Sequence, residues 1–317
     1  MPNNLRIVFM GTPDFAVKSL ELLHQNFNVV AVVTAPDKKR GRGQKVIPTP
    51  IKTFALEHNL PILQPRNLKD EDFIETLKSY KPDLNVVVAF RMLPEVVFNL
   101  PSKGSINLHA SLLPDYRGAA PINHAIINGE KHTGVTTFYL QKEIDTGRII
   151  KQRSVNIYPD DNAGTLHDKL MDTGAELLRE TVDEIAEGTA NARPQTNISN
   201  KKAPKIFKED CEIDWSKRGR DIFNFVRGLS PYPAAWTTFI KNGKPFSAKI
   251  YAGHFKRQDH DLNPGIVRVE DNKMAVSVKK GWYQIDELQP QSRKRMTTEE
   301  FIRGLQKNDE LKLKDFS

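Results

Sequence analysis

Apolar residues in the first part of the chain fall into short unbroken runs separated by segments of helical spacing. Residues 5–10 (LRIVFM), 29–34 (VVAVVT) and 84–89 (LNVVVA) are runs of the kind that fill a strand buried on both faces. Between them, 14–24, 49–58 and 70–80 place apolar residues three and four apart, which predicts amphipathic helices. A short strand at 61–63, a strand at 105–109 and a helix near 119–127 continue the alternation. Strands and helices in series pair in parallel through crossover helices, so a mostly parallel sheet covered on both faces is expected. Two strands, 134–140 and 148–157, lie too close in sequence for a crossover and read as an antiparallel extension; a long helix at 165–187 follows.

The rhythm then changes. Residues 189–208 are polar, hold Pro194 and Pro204, and carry Lys201, Lys202, Lys205 and Lys208, the composition of a basic linker. Beyond it, helices near 218–227 and 298–306 accompany five short alternating strands at 237–241, 246–255, 265–269, 275–278 and 282–288. That pattern predicts a small β-barrel of the OB type. The expected fold is therefore α/β: a mostly parallel, Rossmann-like sheet domain over 1–188, the linker 189–208, and an OB-like barrel domain over 209–317.

Composition narrows the classes of function. No apolar stretch approaches the ~20 residues of a membrane span, and Met1 runs into the first strand without the pattern of a cleaved leader. A cytoplasmic protein is expected. The single cysteine, Cys211, excludes an internal disulfide; among Glu209, Asp210 and Glu212 it reads as an inert thiol. No Cys/His cluster offers a structural metal site, and no metal is expected. The net charge is +8, and residues 207–317 contribute five of those charges, so the last third carries most of a basic excess that permits a nucleic-acid partner.

The chemistry concentrates in INLHASLLPDYRGAAPI. Asn107 and His109 are two residues apart at the end of a predicted strand, so both side chains leave on one face. Ligands of open α/β sheets bind beyond the carboxyl ends of the strands. An amide that donates and an imidazole that donates or carries a proton suit an oxygen that is acquiring negative charge. Alone, a histidine there also fits a plain structural role, but the small and polar loop Ala110, Ser111, Pro114, Arg117 and Gly118 is where function tends to sit. Gly11-Thr12-Pro13 after the first strand is not a dinucleotide fingerprint, since Pro13 removes an amide that a phosphate would need.

The run 107–122 resembles the Asn-x-His-x-Ser-Leu-Leu-Pro signature of the folate-dependent formyltransferases, with Asp145-Thr146-Gly147 as the downstream Asp-x-Gly. The resemblance implies a catalytic trio of Asn107, His109 and Asp145 and 10-formyltetrahydrofolate as formyl donor. The residue types fit. An amine attacking a formyl carbon generates a tetrahedral intermediate whose negative oxygen Asn107 and His109 would hold. Asp145 would orient or charge His109 and accept the amine proton through a water. Asp145 before Thr-Gly also fits an ordinary turn. The resemblance places the pterin against Phe90, Arg91, Met92 and Leu93, and next to Ser111, Leu112, Leu113 and Pro114. Many tRNA-specific members have Tyr-Gly and one more residue where this chain has Phe90-Arg91, which is closer to the purine-pathway relatives; Phe90 and Met92 equally fit plain core.

Relatives formylate different amines, and three features point to the amino group of methionine carried on initiator tRNA. The loop PDKKRGRGQKVIPTP is long and basic for an α/β connection, usually ~2–6 residues; Lys38, Lys39, Arg40, Arg42 and Lys45 can neutralise phosphates. It resembles the loop that tRNA-specific members insert into the acceptor stem, with Arg42 in the key position, although a solvated flexible loop has the same composition. Lys205 matches a basic family position in the linker. Ile213-Asp214-Trp215 and Ser230-Pro231-Tyr232-Pro233 resemble the same branch, and a second, basic barrel domain suits a nucleic acid. The alternatives are a formyltransferase for a small amine, such as a ribotide or a nucleotide-linked amino sugar, and an RNA-binding protein without catalysis. A monomer is expected. Arg42→Ala should weaken use of the tRNA while sparing folate affinity; steady-state kinetics with each substrate varied in turn checks this, and an equal loss of folate affinity would contradict the assignment.

Overall fold

The computed structural model describes residues 3–40, 45–195, 199–306 and 309–314. Along the chain come β1 (Asn3–Gly11), α1 (Val17–Asn26), β2 (Phe27–Val33), β3 (Lys38–Arg40), β4 (Lys45–Ile47), α2 (Pro50–Glu57), β5 (Ile62–Leu63), α3 (Glu71–Ser79), β6 (Leu84–Val88) and α4 (Glu95–Phe98). Next are β7 (Ser105–His109), β8 (Arg117–Gly118), α5 (Pro121–Ile127), β9 (His132–Tyr139), β10 (Ile149–Asn156), α6 (Ala163–Glu187) and β11 (Lys202–Ala203). The last are α7 (Gly219–Leu229), β12 (Ala235–Lys241), β13 (Lys244–Arg257), β14 (Val267–Glu270), β15 (Lys273–Val278), β16 (Gly281–Pro290), β17 (Met296–Thr297), α8 (Thr298–Arg303) and β18 (Leu311–Leu313). They form two compact units. One comprises Met1–Gly118, His132–Asn156 and His167–Lys202; the other comprises Ala119–Lys131, Ile157–Leu166 and Ala203–Ser317.

The first unit holds a seven-stranded sheet in the order β10-β9-β7-β6-β1-β2-β5. From β5 to β7 the pairings are parallel, and β9 and β10 extend the sheet antiparallel, as the sequence predicts. The apolar runs lie where expected: Ile7–Met10 are fully buried and all of β6 is buried. Helix starts are encoded locally. The Thr49 side chain accepts from the Lys52 amide, with Pro50 opening α2, and Asp70 accepts from the Phe73 amide, with Glu71 and Asp72 in the first turn of α3. α6 closes tightly on the sheet because Gly174 has no side chain: a Cβ there would lie 2.9 Å from Leu108 Cδ2. Leu108 of β7 thus faces α6, and strand alternation sends Asn107 and His109 to the opposite face.

The second unit is an antiparallel sheet in the order β14-β15-β16-β13-β12-β18, with β17 on β16. Its two edge strands, β14 and β18, meet, so the sheet is a nearly closed, barrel-like wall of the expected kind. Trp215, Phe239 and Tyr283 fill it, and the Trp215 indole donates to Thr237 Oγ1 at 3.0 Å. Burial pushes the Tyr283 phenol far above its ordinary range. α7 lays Ile222, Val226 and Leu229 on this core, and a capping box of Thr297 and Glu300 starts α8.

Three features went unforeseen. The long basic loop contains an antiparallel ribbon, with Lys38 opposite Ile47 and Lys39 opposite Val46. α4 is a single turn, and β18 pairs with β12 through Phe239 opposite Leu313. Leu313 is 2% exposed in the barrel core. Leu313→Ala should destabilise the protein by about 2–5 kcal/mol, read as a lower denaturant midpoint; an unchanged midpoint would show that β18 is dispensable.

Candidate active site

β7 lies between parallel β6 and antiparallel β9, so its carboxyl end is where the sheet changes direction. Asn107 sits opposite Val87 on one side and Phe138 on the other; His109 sits opposite Thr136. Asn107 is half-buried, and His109 is 7% exposed.

The His109 ring is fixed from one side. Its Nε2 lies 2.9 Å from the Tyr116 carbonyl oxygen. A carbonyl only accepts, so Nε2 carries the hydrogen, and the neutral ring presents a bare Nδ1. That nitrogen is 3.9 Å from Asp145 Oδ2. The two would attract as an ion pair only with Nδ1 protonated, and they are too far apart for a hydrogen bond.

The carboxylate reaches this position by an indirect route. β9 ends with Tyr139 opposite Ile106, beside the start of β7, so the following loop must double back to meet His109. Asp145 has φ +55°, a left-handed conformation open to few residues other than glycine but tolerated by aspartate. Its Oδ2 accepts from the Gly118 amide at 2.9 Å. Gly147 is required by space: a Cβ there would lie 1.7 Å from the Tyr139 carbonyl oxygen. The spacing Asp-x-Gly thus has a steric reason. A residue that the sequence did not single out also holds this loop. Gln195 donates from Nε2 to the Asp145 carbonyl at 2.9 Å and to the Gly147 carbonyl at 2.8 Å, and its Oε1 accepts from Arg117 Nη2.

The segment 111–114 is a braced turn. Ser111 is buried and donates to the Asp115 carbonyl at 2.6 Å, while Thr136 Oγ1 donates to the Ser111 carbonyl and accepts from the Leu113 amide. Leu113 packs on Phe138 and Ile149, Leu112 covers Gly134, and the Leu113–Pro114 peptide is cis. Ser111 and Leu113 are therefore committed to the turn that carries Tyr116 to His109.

The loop after β6 divides by position. Leu93 is buried with Val97 and Phe98, Phe90 is half-buried, and Met92 is 72% exposed. Arg91 donates to the Pro65 and Arg66 carbonyls, and burial draws its guanidinium below its ordinary value. Among the described residues, the main chain of Phe90, Arg91 and Met92 makes no hydrogen bond. No group of His, Cys, Asp and Glu among the described residues could hold a metal ion.

Lys38 is exposed at the base of the ribbon, next to Asp37, whose carboxyl the Lys52 hydrogen bond holds below its ordinary value, with help from Gln64. The side chains of Lys39, Arg40 and Lys45, and the whole of Arg42, lie outside the described residues. Lys205 places its ammonium 5.0 Å over the Phe207 ring.

Comparison with known proteins decides the family. Residues 5–182 match the model "Formyl transferase", and 205–306 match "Formyl transferase, C-terminal domain". The methionyl-tRNA formyltransferase of Bacteroides fragilis is 49% identical over 318 residues, covering 98% of each chain. That of Azobacteroides pseudotrichonymphae is 53% identical over 311 residues, covering 94% of this chain and 95% of its own. The chain belongs to the methionyl-tRNA formyltransferase family. Among solved structures, the sugar 3N-formyl transferase WlaRD shares the fold with a TM-score of 0.64 at 22% identity, over 92% of this chain and 99% of that one. HypX from Aquifex aeolicus, solved with tetrahydrofolic acid, gives 0.64 at 18% identity over 95% of this chain and 48% of that one.

Within this family member the Asp145 loop has no room for a side chain at its glycine. Gly147→Ala should lower formylation turnover at least about tenfold by displacing the carboxylate, with the folded fraction, followed by circular dichroism, retained; wild-type turnover would show that the loop's path is not critical.

Proposed function

We propose that this protein transfers the formyl group of 10-formyltetrahydrofolate to the amino group of methionyl-tRNA, with the initiator species as its acceptor. The observation that carries this is the approach of His109 Nδ1 to Asp145 Oδ2, 3.9 Å apart, in a chain that aligns with methionyl-tRNA formyltransferases over 98% of its length. The donor supplies a formyl carbon open to attack by an amine. The loop after β6 suits its pterin, with half-buried Phe90, exposed Met92 and main-chain groups left without partners among the described residues.

Each residue of the trio then has a task set by its surroundings. Asn107 donates its side-chain amide to the oxygen that gains negative charge, a kind of interaction whose loss typically costs ~3–4 kcal/mol. His109 cannot use Nε2, which the Tyr116 carbonyl occupies, so it acts through Nδ1. Once protonated there, it donates to the same oxygen. Asp145 lies on that side of the ring, where its carboxylate orients the imidazole and takes up the amine proton through a water; the intermediate then collapses by breaking the bond between the formyl carbon and N10, and tetrahydrofolate leaves with that proton on N10. The pair is sheltered: the side chains are 8% and 14% exposed, which strengthens charge interactions relative to open water.

The acceptor is supported by the basic surfaces. Lysines neutralise phosphates and release counterions, and exposed rings stack on bases. In the second unit a cavity of about 930 Å³ is lined by Lys205, Lys208, Lys249, Tyr232 and Trp236. Tyr232 is 82% exposed. Charged tRNA as substrate places the reaction in the cytoplasm, and one chain supplies every proposed reacting group, so a monomer suffices. Asp145→Asn should lower kcat by about 10²–10⁴-fold while KM changes little; near-normal turnover removes Asp145 from the mechanism. A comparison of initiator methionyl-tRNA with a ribotide and a nucleotide-linked amino sugar tests the acceptor, and preference for either small amine overturns it.

A further inference from the structure

We infer that Gln195 is a positioning residue for formyl transfer, one that holds the Asp145 carboxylate against His109; this rests on the reading of those two as the reacting pair. The Asp145 loop must double back from the far end of β9, and Asp145 itself has φ +55°. Such a loop keeps one path only if its backbone is tied down. Gln195 ties it at two points two residues apart, since one amide nitrogen donates to both the Asp145 and the Gly147 carbonyls.

The direction of that amide is settled by chemistry. Arg117 has only donors, so the Gln195 atom facing it is the oxygen, and the nitrogen faces the loop. The backbone of Gln195 is placed as firmly. Arg193 exchanges hydrogen bonds with Ile149, at 2.8 and 2.9 Å, at the first residue of β10. Arg148 also reaches the Ala192 carbonyl through Nε, at 3.2 Å. The same stretch touches the other half of the pair: the Lys201 carbonyl accepts from the Tyr116 amide at 2.7 Å, and the Tyr116 carbonyl holds His109. A segment that sequence reading assigns to a linker thus braces the carboxylate at one end and the imidazole at the other. Gln195 touches no reacting atom, and its contribution goes through Asp145.

Steady-state kinetics of full-length variants test this. Gln195→Ala should lower kcat by about tenfold to a hundredfold, keep KM for folate and tRNA within about twofold, and displace the pH–rate profile. Gln195→Glu retains the acceptor for Arg117 but loses both donors, so it should fall as far; being isosteric, it also serves if the alanine variant does not fold. In an Asp145→Asn background, Gln195→Ala should reduce kcat by less than about twofold further, because the group it positions is already lost. Wild-type kcat in Gln195→Glu overturns the inference. So does a full multiplicative loss in the double variant, or an unmoved pH profile with only a lower melting temperature, which is what a purely structural role gives. If Asp145→Asn itself turns over normally, the reacting pair fails and this inference falls with it. If Asp145→Asn is inactive and Gln195→Glu is not, the inference alone fails.

Discussion

The hydrogen bond from His109 Nε2 to the Tyr116 carbonyl is the constraint on which the site depends. It takes up one nitrogen of a buried ring and so decides which nitrogen the proposed mechanism can use. That bond exists because a braced turn returns the chain to the end of β7. Ser111, Leu113 and Thr136 hold one another, and Tyr116 adopts φ +61° so that its carbonyl meets the ring. The strand supplies the other half of the geometry. Leu108 is pressed against Gly174 of α6, which leaves Asn107 and His109 no choice but the opposite face.

The carboxylate is held by a different kind of device. Strand pairing carries β9 away from His109, and only a doubled-back loop returns Asp145 to it. The return needs a left-handed residue at 145, no side chain at 147, and anchors outside the loop: the Gly118 amide on the carboxylate and the Gln195 amide on the backbone. The 3.9 Å separation from the imidazole is compatible with the proposed reacting pair, since catalytic hydrogen bonds tend to be long before substrate arrives.

Much of this is legible in the sequence, for identifiable reasons. Residues 7–10 and 84–88 read as buried strands because they are short, apolar and hold β-branched Ile7, Val8, Val86, Val87 and Val88. Asp70 and Thr49 mark helix starts because their side chains cap them locally. Asn107 and His109 share a face because strand geometry has a period of two. What escaped notice depends on distant partners. Leu311–Leu313 is a strand only because β12 offers an edge. The basic loop pairs with itself despite its charge, since antiparallel hydrogen bonds satisfy backbone that would otherwise need water. Gln195 belongs to no motif; its place follows from two carbonyls 48 and 50 residues away. Leu93, expected beside Phe90 at the folate, is buried with Val97 and Phe98, and Phe90 packs against the same cluster.

The central claim is about one nitrogen atom, and nitrogen-15 NMR of the imidazole reads it directly. In the free enzyme, with the ring in its neutral form, the His109 signals should show hydrogen on Nε2 and a bare Nδ1. A signal showing hydrogen on Nδ1 and a bare Nε2 would mean that the Tyr116 carbonyl does not orient the ring, and the proposed use of Nδ1 beside Asp145 would be wrong.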